Sequence, residues 1–199
     1  MEPPQLKLVE APSALSERSD DELMVLTRGG RTEAFAVLVE RHMRALAGFA
    51  CKMTGDPRLG DDIAQEVWLQ IWAARLRYRS HDKFTVYLYT CARNRCRNQL
   101  RNAVRRARWD VAVPAPTLLD APSDTADQLE RLLERERQTR VLHAIVELPE
   151  ALREPLLLRI AQGLDYDDIA AVLSTSEASV RSRVHRGIAQ LRSRLEKTS

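Results

Sequence analysis

The stretch "WDVAVPAPTLLDAPSDTAD", Trp109–Asp127, constrains the fold of this chain most. It holds three prolines and no helical period, while apolar residues recur at helical spacing on both sides of it. Proline inside a helix removes a hydrogen bond and clashes with the preceding turn, so no continuous helix crosses this stretch. The chain has 199 residues, room for two small units. It therefore reads as all-α: two small helical domains, residues 19–109 and 128–199, joined by a flexible linker over 110–127. Residues 1–18 contain Pro, Ser and Glu without periodicity and read as a disordered tail. Abundant Ala, Leu, Arg and Glu favour helices, and few aromatics argue against a β-rich fold.

In the first half, Ser19 and Asp20 mark a helix start, with Leu23 and Leu26 as its apolar face until "RGG" stops it. Thr32 opens a second helix with Phe35, Leu38, Val39, Leu46 and Phe49 in period, and "TGDP", Thr54–Pro57, breaks it. A third carries Leu59, Ile63, Val67, Ile71 and Trp72. A loop near Tyr78–Lys83 leads to a long helix from Phe84 through Arg108. Beyond the linker, helical pattern resumes at Gln128 with Leu129, Leu132, Leu133, Leu142, Ile145 and Val146. It is punctuated by "LPE" and continues to about Ala161.

The segment "YDDIAAVLSTSEASVRSRVHRG", Tyr166–Gly187, packs two short helices around a polar break. Asp165 is placed to cap the first, which buries Ile169, Val172 and Leu173. Ser174 with Glu177 fits a capping box for the second, and Ser176 is the alternative cap. The second helix spaces Val180, Val184, Ile188, Leu191 and Leu195 on one side and carries Arg181, Arg183, His185, Arg186, Arg192 and Arg194 elsewhere. That pattern fits a helix-turn-helix whose second helix enters the major groove; a basic helical hairpin that binds protein has the same periodicity.

Net charge is only +3, but it is unevenly distributed. From Arg75 to Arg108 eleven Arg or Lys residues face one acid, Asp82, and Tyr78, Phe84, Tyr87 and Tyr89 are interleaved with them. Duplex phosphates need only the cations, whereas unpaired bases also stack on rings; the rings equally suit a core. Asn94 can donate and accept at the edge of an exposed base. Upstream, "DDIAQEVWLQIW" sets Asp61, Asp62, Gln65 and Glu66 along one side of a helix, a face suited to a basic protein partner or to solvent.

Other classes find little support. The N-terminus lacks a signal-peptide pattern and no apolar run is long enough to span a membrane, so the chain reads as cytoplasmic. Cys51, Cys91 and Cys96 form neither a disulfide framework nor a zinc pattern. There is no phosphate-binding loop, and Asp61 and Asp62 splay apart on a helix rather than converge on a metal. No metal, cofactor or catalytic residue is expected.

At these residues the chain resembles the extracytoplasmic-function (ECF) group of sigma factors in the sigma-70 family. "DIAAVLSTSEASVRSRVHR" is similar to region 4, "DDIAQEVWLQIW" to region 2.2, and "YRSHDKFTVYLYTCARNRCRNQLR" to regions 2.3 and 2.4. The resemblance implies a non-enzymatic factor that brings core RNA polymerase to promoter DNA. Arg181, Ser182, Arg183, His185 and Arg186 would read the −35 element as duplex. Tyr78, Arg79, Phe84, Tyr87, Arg93, Asn94 and Arg97 would hold the melted −10 strand. Asp61, Asp62, Gln65 and Glu66 would dock the polymerase's largest subunit, and an anti-sigma factor is implied as a further partner. The alternative is a stand-alone helix-turn-helix regulator on a duplex operator, which leaves the aromatic-rich first half unexplained.

Overall fold

The computed structural model describes residues 15–79, 83–107 and 139–197, and among them every regular element is helical. The elements are α1 (Asp20–Arg28), α2 (Thr32–Thr54), α3 (Pro57–Ala74), a 3₁₀ turn (Arg75–Arg77) and α4 (Phe84–Ala107). They continue as α5 (139–146), α6 (Glu150–Ile160), α7 (Tyr166–Leu173) and α8 (Glu177–Lys197). The expected linker over 110–127 and the helix start at Gln128, with Leu129, Leu132 and Leu133, lie outside the described residues.

Local chemistry accounts for the boundaries. Ser19 caps α1 in a reciprocal box, its hydroxyl accepting from the Glu22 amide while the Glu22 carboxylate accepts from the Ser19 amide. Gly55 ends α2 in the left-handed region at φ 77°, Asp56 caps α3 through the Arg58 amide, and Pro57 opens it where no amide hydrogen is needed. The tail expected over 1–18 gives way earlier to ordered chain. Leu15 is buried, and the carbonyls of Ser16 and Arg18 accept from Arg41.

Two caps in the second half differ from the sequence reading. Asp165 precedes α7 with extended geometry, but its carboxylate makes no capping bond and accepts instead from Arg159. Ser174 does not start α8; it closes α7 in the left-handed region at φ 52°, where its amide returns to Ala171. Ser176 takes the capping role, its hydroxyl accepting from the Ser179 amide.

The helices enclose one continuous core. Phe49, Phe84, Leu38, Ile63 and Leu88 are fully buried in the first half, and Leu156, Leu158, Ile169 and Val180 join the same cluster from the second. The two halves are thus packed together rather than held apart: Val146 of α5 abuts the α2–α3 turn at Gly55, and α4 lies against α7. Within the first half, α2 and α3 cross closely at Gly60, where an added Cβ would lie 2.9 Å from the Ala47 carbonyl oxygen and 3.2 Å from Cys51 Cβ.

That crossing separates two otherwise equivalent substitutions. Gly60→Ala is expected to destabilise the protein by about 1–3 kcal/mol through overpacking. Gly48→Ala, whose Cβ would meet only the flexible end of Lys52 at 3.6 Å, should instead stabilise α2 by up to about 1 kcal/mol. Urea unfolding of the two variants beside the parent measures both.

Candidate nucleic-acid interfaces

Three surfaces carry the residues singled out from the sequence. The first is the helix pair α7–α8. Ile169, Val172 and Leu173 of α7 and Val180 and Val184 of α8 are buried, which fixes the rotation of α8 about its axis. Arg181, Ser182, His185 and Arg186 are consequently exposed, and Arg183 is half-buried. Arg181 reaches back one turn, its Nε donating to Glu177 Oε1 at 3.1 Å, and its guanidinium lies 4.5 Å from the centre of the Tyr166 ring. The carboxylates of Asp165, Asp167 and Asp168 cluster at the start of α7, where Arg159 and Lys83 answer them at 3.2 and 2.8 Å.

The second surface is α4 and the loop before it. Phe84, Leu88, Ala92 and Cys96, each four residues on, form the buried edge of α4. Asn94 is exposed, and Arg93 and Arg97 are half-buried on another side. The rings divide unevenly: Tyr78, Phe84 and Tyr89 are buried, and Tyr87 is half-buried with its ring 5.4 Å from that of Tyr78. In this conformation neither Tyr78 nor Phe84 offers an open face to a base, while Arg79 is exposed beside them.

Sequence reasoning missed what sets this loop. Asp21 of α1 accepts from the Tyr78 hydroxyl at 3.2 Å and from the Phe84 amide at 2.7 Å, so one carboxylate holds both ends of the loop and satisfies an orphan amide of α4. An acid at the second position of a helix looks like ordinary dipole compensation, which hides this long-range role.

A ladder of charges joins this surface to the second half. Arg93 and Arg97, one turn apart on α4, meet Glu154 and Glu150, one turn apart on α6, at 3.1 and 2.6 Å. Tyr89 hydrogen-bonds Gln162, and Lys83 bonds Asp168 of α7. Burial pushes the Glu154 carboxyl above its ordinary range, against the opposing pull of Arg93. Burial likewise lowers the pKa of Arg153 and raises the Cys96 thiol to about 12, with Glu154 adding to the latter.

On the third surface Asp61, Asp62 and Gln65 are exposed along α3, and Glu66 is half-buried in an ion pair with Arg95. Beside them opens a groove of about 460 Å³ lined by Phe35, Met43, Trp68, Leu69 and Trp72 with Thr32 and Gln65 at its edge. Leu69 is 69% exposed, a large apolar residue left on the surface. Its place outside the Ile63–Val67–Ile71 face was the available signal for this groove.

Comparison with known proteins places the chain in one family. Residues 38–106 match sigma-70 region 2, and residues 138–191 match sigma-70 region 4. The chain is 30% identical to the RNA polymerase sigma-H factor of Pseudomonas aeruginosa, over 86% of this chain and 91% of that protein. It belongs to the sigma-70 family. The ECF RNA polymerase sigma-E factor of Escherichia coli is also 30% identical, over 86% of this chain and 92% of its own length. This sigma factor shares its fold with CnrH, solved in complex with the cytosolic domain of CnrY, at TM-score 0.71 and 24% identity over 92% of this chain and all of that one. RpoE of Bartonella quintana, solved with the anti-sigma factor NepR, gives TM-score 0.67 at 22% identity, over 81% of this chain and 96% of that one. The function is that of an RNA polymerase sigma factor. Among the described residues no helix is long and apolar enough to cross a membrane.

The thiols report on the charge ladder. Half-buried Cys51 should react with a thiol reagent at pH 8 well before Cys91, and Cys96 last, because its raised pKa and zero exposure both withhold the thiolate. In the double variant Glu150→Gln/Glu154→Gln, Cys96 labelling is expected to speed up several-fold, read by mass spectrometry over time.

Proposed function

We propose that this sigma factor divides promoter reading between its two halves. The second half reads the −35 element as duplex. α8 enters the major groove with Arg181, Ser182, His185 and Arg186 toward base edges, and Arg183 closer to the backbone. The first half holds the melted −10 strand: Asn94 meets an extruded base, Tyr87 offers a half-open ring, and Arg79, Arg93 and Arg97 follow the phosphates. Tyr78 and Phe84 serve from inside the core, where Asp21 holds both. The observation that carries this reading is the shared exposed face of Arg181, Ser182, His185 and Arg186 on a helix fixed by its buried side.

Asp61, Asp62, Gln65 and Glu66 dock a basic coiled coil of the polymerase's largest subunit, with the Phe35–Leu69–Trp72 groove accepting apolar side chains beside the charges. The functional units are residues 19–109 and 128–199, joined through 110–127, with Leu15–Arg18 packed onto the first. Arg93 and Arg97 exchange Glu154 and Glu150 for phosphate when the halves part on the polymerase. An anti-sigma factor is a further partner, as it is for the RpoE protein of similar fold. The protein works in the cytoplasm, where polymerase and promoter are, and performs no bond chemistry of its own.

Run-off transcription with core polymerase on the protein's own upstream DNA tests the reading. A discrete transcript that depends on the protein is expected. Arg181→Ala should weaken promoter binding by about 1–3 kcal/mol, and only where the −35 sequence is intact. Asn94→Ala should leave duplex binding unchanged and reduce strand opening, followed by permanganate reactivity of unpaired thymines. Equal losses for Arg181→Ala on promoter and random duplex would count against the −35 assignment.

A further inference from the structure

The side chain of Arg181 is held from two directions, by a carboxylate one turn earlier on its own helix and by an aromatic ring of the preceding one. Its Nε and Nη2 both donate to Glu177 Oε1, one turn earlier on α8. Its guanidinium sits 4.5 Å from the centre of the Tyr166 ring, within the range at which a cation is attracted to a π face. Tyr166 is the first residue of α7, half-buried, and its ring packs against the core cluster. The same ring also receives the guanidinium of Arg159 at 4.9 Å, which is itself fixed to the Leu164 carbonyl at 2.8 Å. A ring anchored in this way has little freedom to follow Arg181, so Arg181 must conform to the ring.

The consequence lies in which donors are left over. An arginine has five N–H groups in a rigid fork. Glu177 occupies the Nε–Nη2 edge, and the ring covers one face. The end-on edge made by Nη1 and the second Nη2 hydrogen remains, and that edge presents the paired donors that match two acceptors on a guanine. An unrestrained arginine would have to surrender rotamer freedom on binding; here much of that ordering is present in the free protein.

We propose that Tyr166 is a positioning residue for promoter recognition, holding Arg181 by its π face in the rotamer that reads a base pair of the −35 element. The proposal rests on the −35 reading of Arg181 given above. It concerns selectivity rather than affinity: losing the ring frees Arg181 to spend its charge on phosphates, so binding to any duplex persists while discrimination falls.

The test is a double-mutant cycle with the full chain bound to core polymerase. It measures anisotropy on two duplexes, the intact promoter and the same DNA with its −35 element scrambled. The quantity read is the ratio of the two affinities. Tyr166→Leu, which keeps apolar bulk in the core but removes the π face, should lower that ratio by about two- to five-fold, the range of an exposed cation–π contact. Tyr166→Phe keeps the ring and should leave the ratio within two-fold of the parent. In an Arg181→Ala background, Tyr166→Leu should change the ratio no further. Equal loss on both duplexes for Tyr166→Leu, or a fall in the ratio for Tyr166→Phe as large as that for Tyr166→Leu, would overturn the proposal. So would the same fall in ratio with and without Arg181. If Arg181→Ala alone leaves the ratio intact, it is the −35 reading of Arg181 that fails, and the proposal fails with it.

Discussion

The helix α4 has to be two surfaces at once, and the remainder of the structure is arranged around that demand. Phe84, Leu88, Ala92 and Cys96 fall every fourth residue and are buried, on a helix packed against α1, α2 and α3. A four-residue step overshoots a full turn by about 40° per repeat on a helix of 3.6 residues per turn. The buried edge therefore winds slowly around α4, turning Tyr89 and Arg93 toward the second half of the chain and leaving Asn94 outside. Packing of one side sets the direction in which every cation on the other side points.

The charge ladder between α4 and α6 is a different kind of contact. Arg93, Arg97, Glu150 and Glu154 are wholly or partly withdrawn from water, and Glu154 Oε1 and Arg153 Nε find no hydrogen-bond partner among the described residues. Taking charges out of water costs several kcal/mol per ion, and incomplete hydrogen bonding leaves part of that cost standing. Such a seam is specific in geometry without being strong.

The sequence made local structure legible and long-range structure much less so. Helix limits followed from nearest-neighbour chemistry: the Ser19–Glu22 box, the Gly55 turn and the Pro57 start all sit within a few residues of what they determine. The rotation of α8 followed from its apolar spacing. The spacing of Ser174 to Glu177 fits a capping box, but the left-handed turn needed to reverse the chain takes Ser174 and leaves the cap to the alternative, Ser176. The aromatics of the basic stripe were ambiguous because a ring spaced for stacking on a base is equally well spaced for a core; Tyr78 and Phe84 took the core. The packing of the halves was invisible because Glu150, Glu154 and Gln162 look like solvent-facing residues until their partners on α4 are known.

The carboxylate of Asp21 also fixes something about time and transplantation. It bonds an amide 63 residues further along the chain, so during synthesis it leaves the ribosome well ahead of the helix it will cap. The seat of Tyr78 and the start of α4 can settle only once α1 has docked, which makes their placement a property of the assembled bundle and not of their own residues. A recombinant exchange of α4 and the residues leading into it between related proteins would carry the letters but not the anchoring of Tyr78 and Phe84 unless the first helix travelled with it.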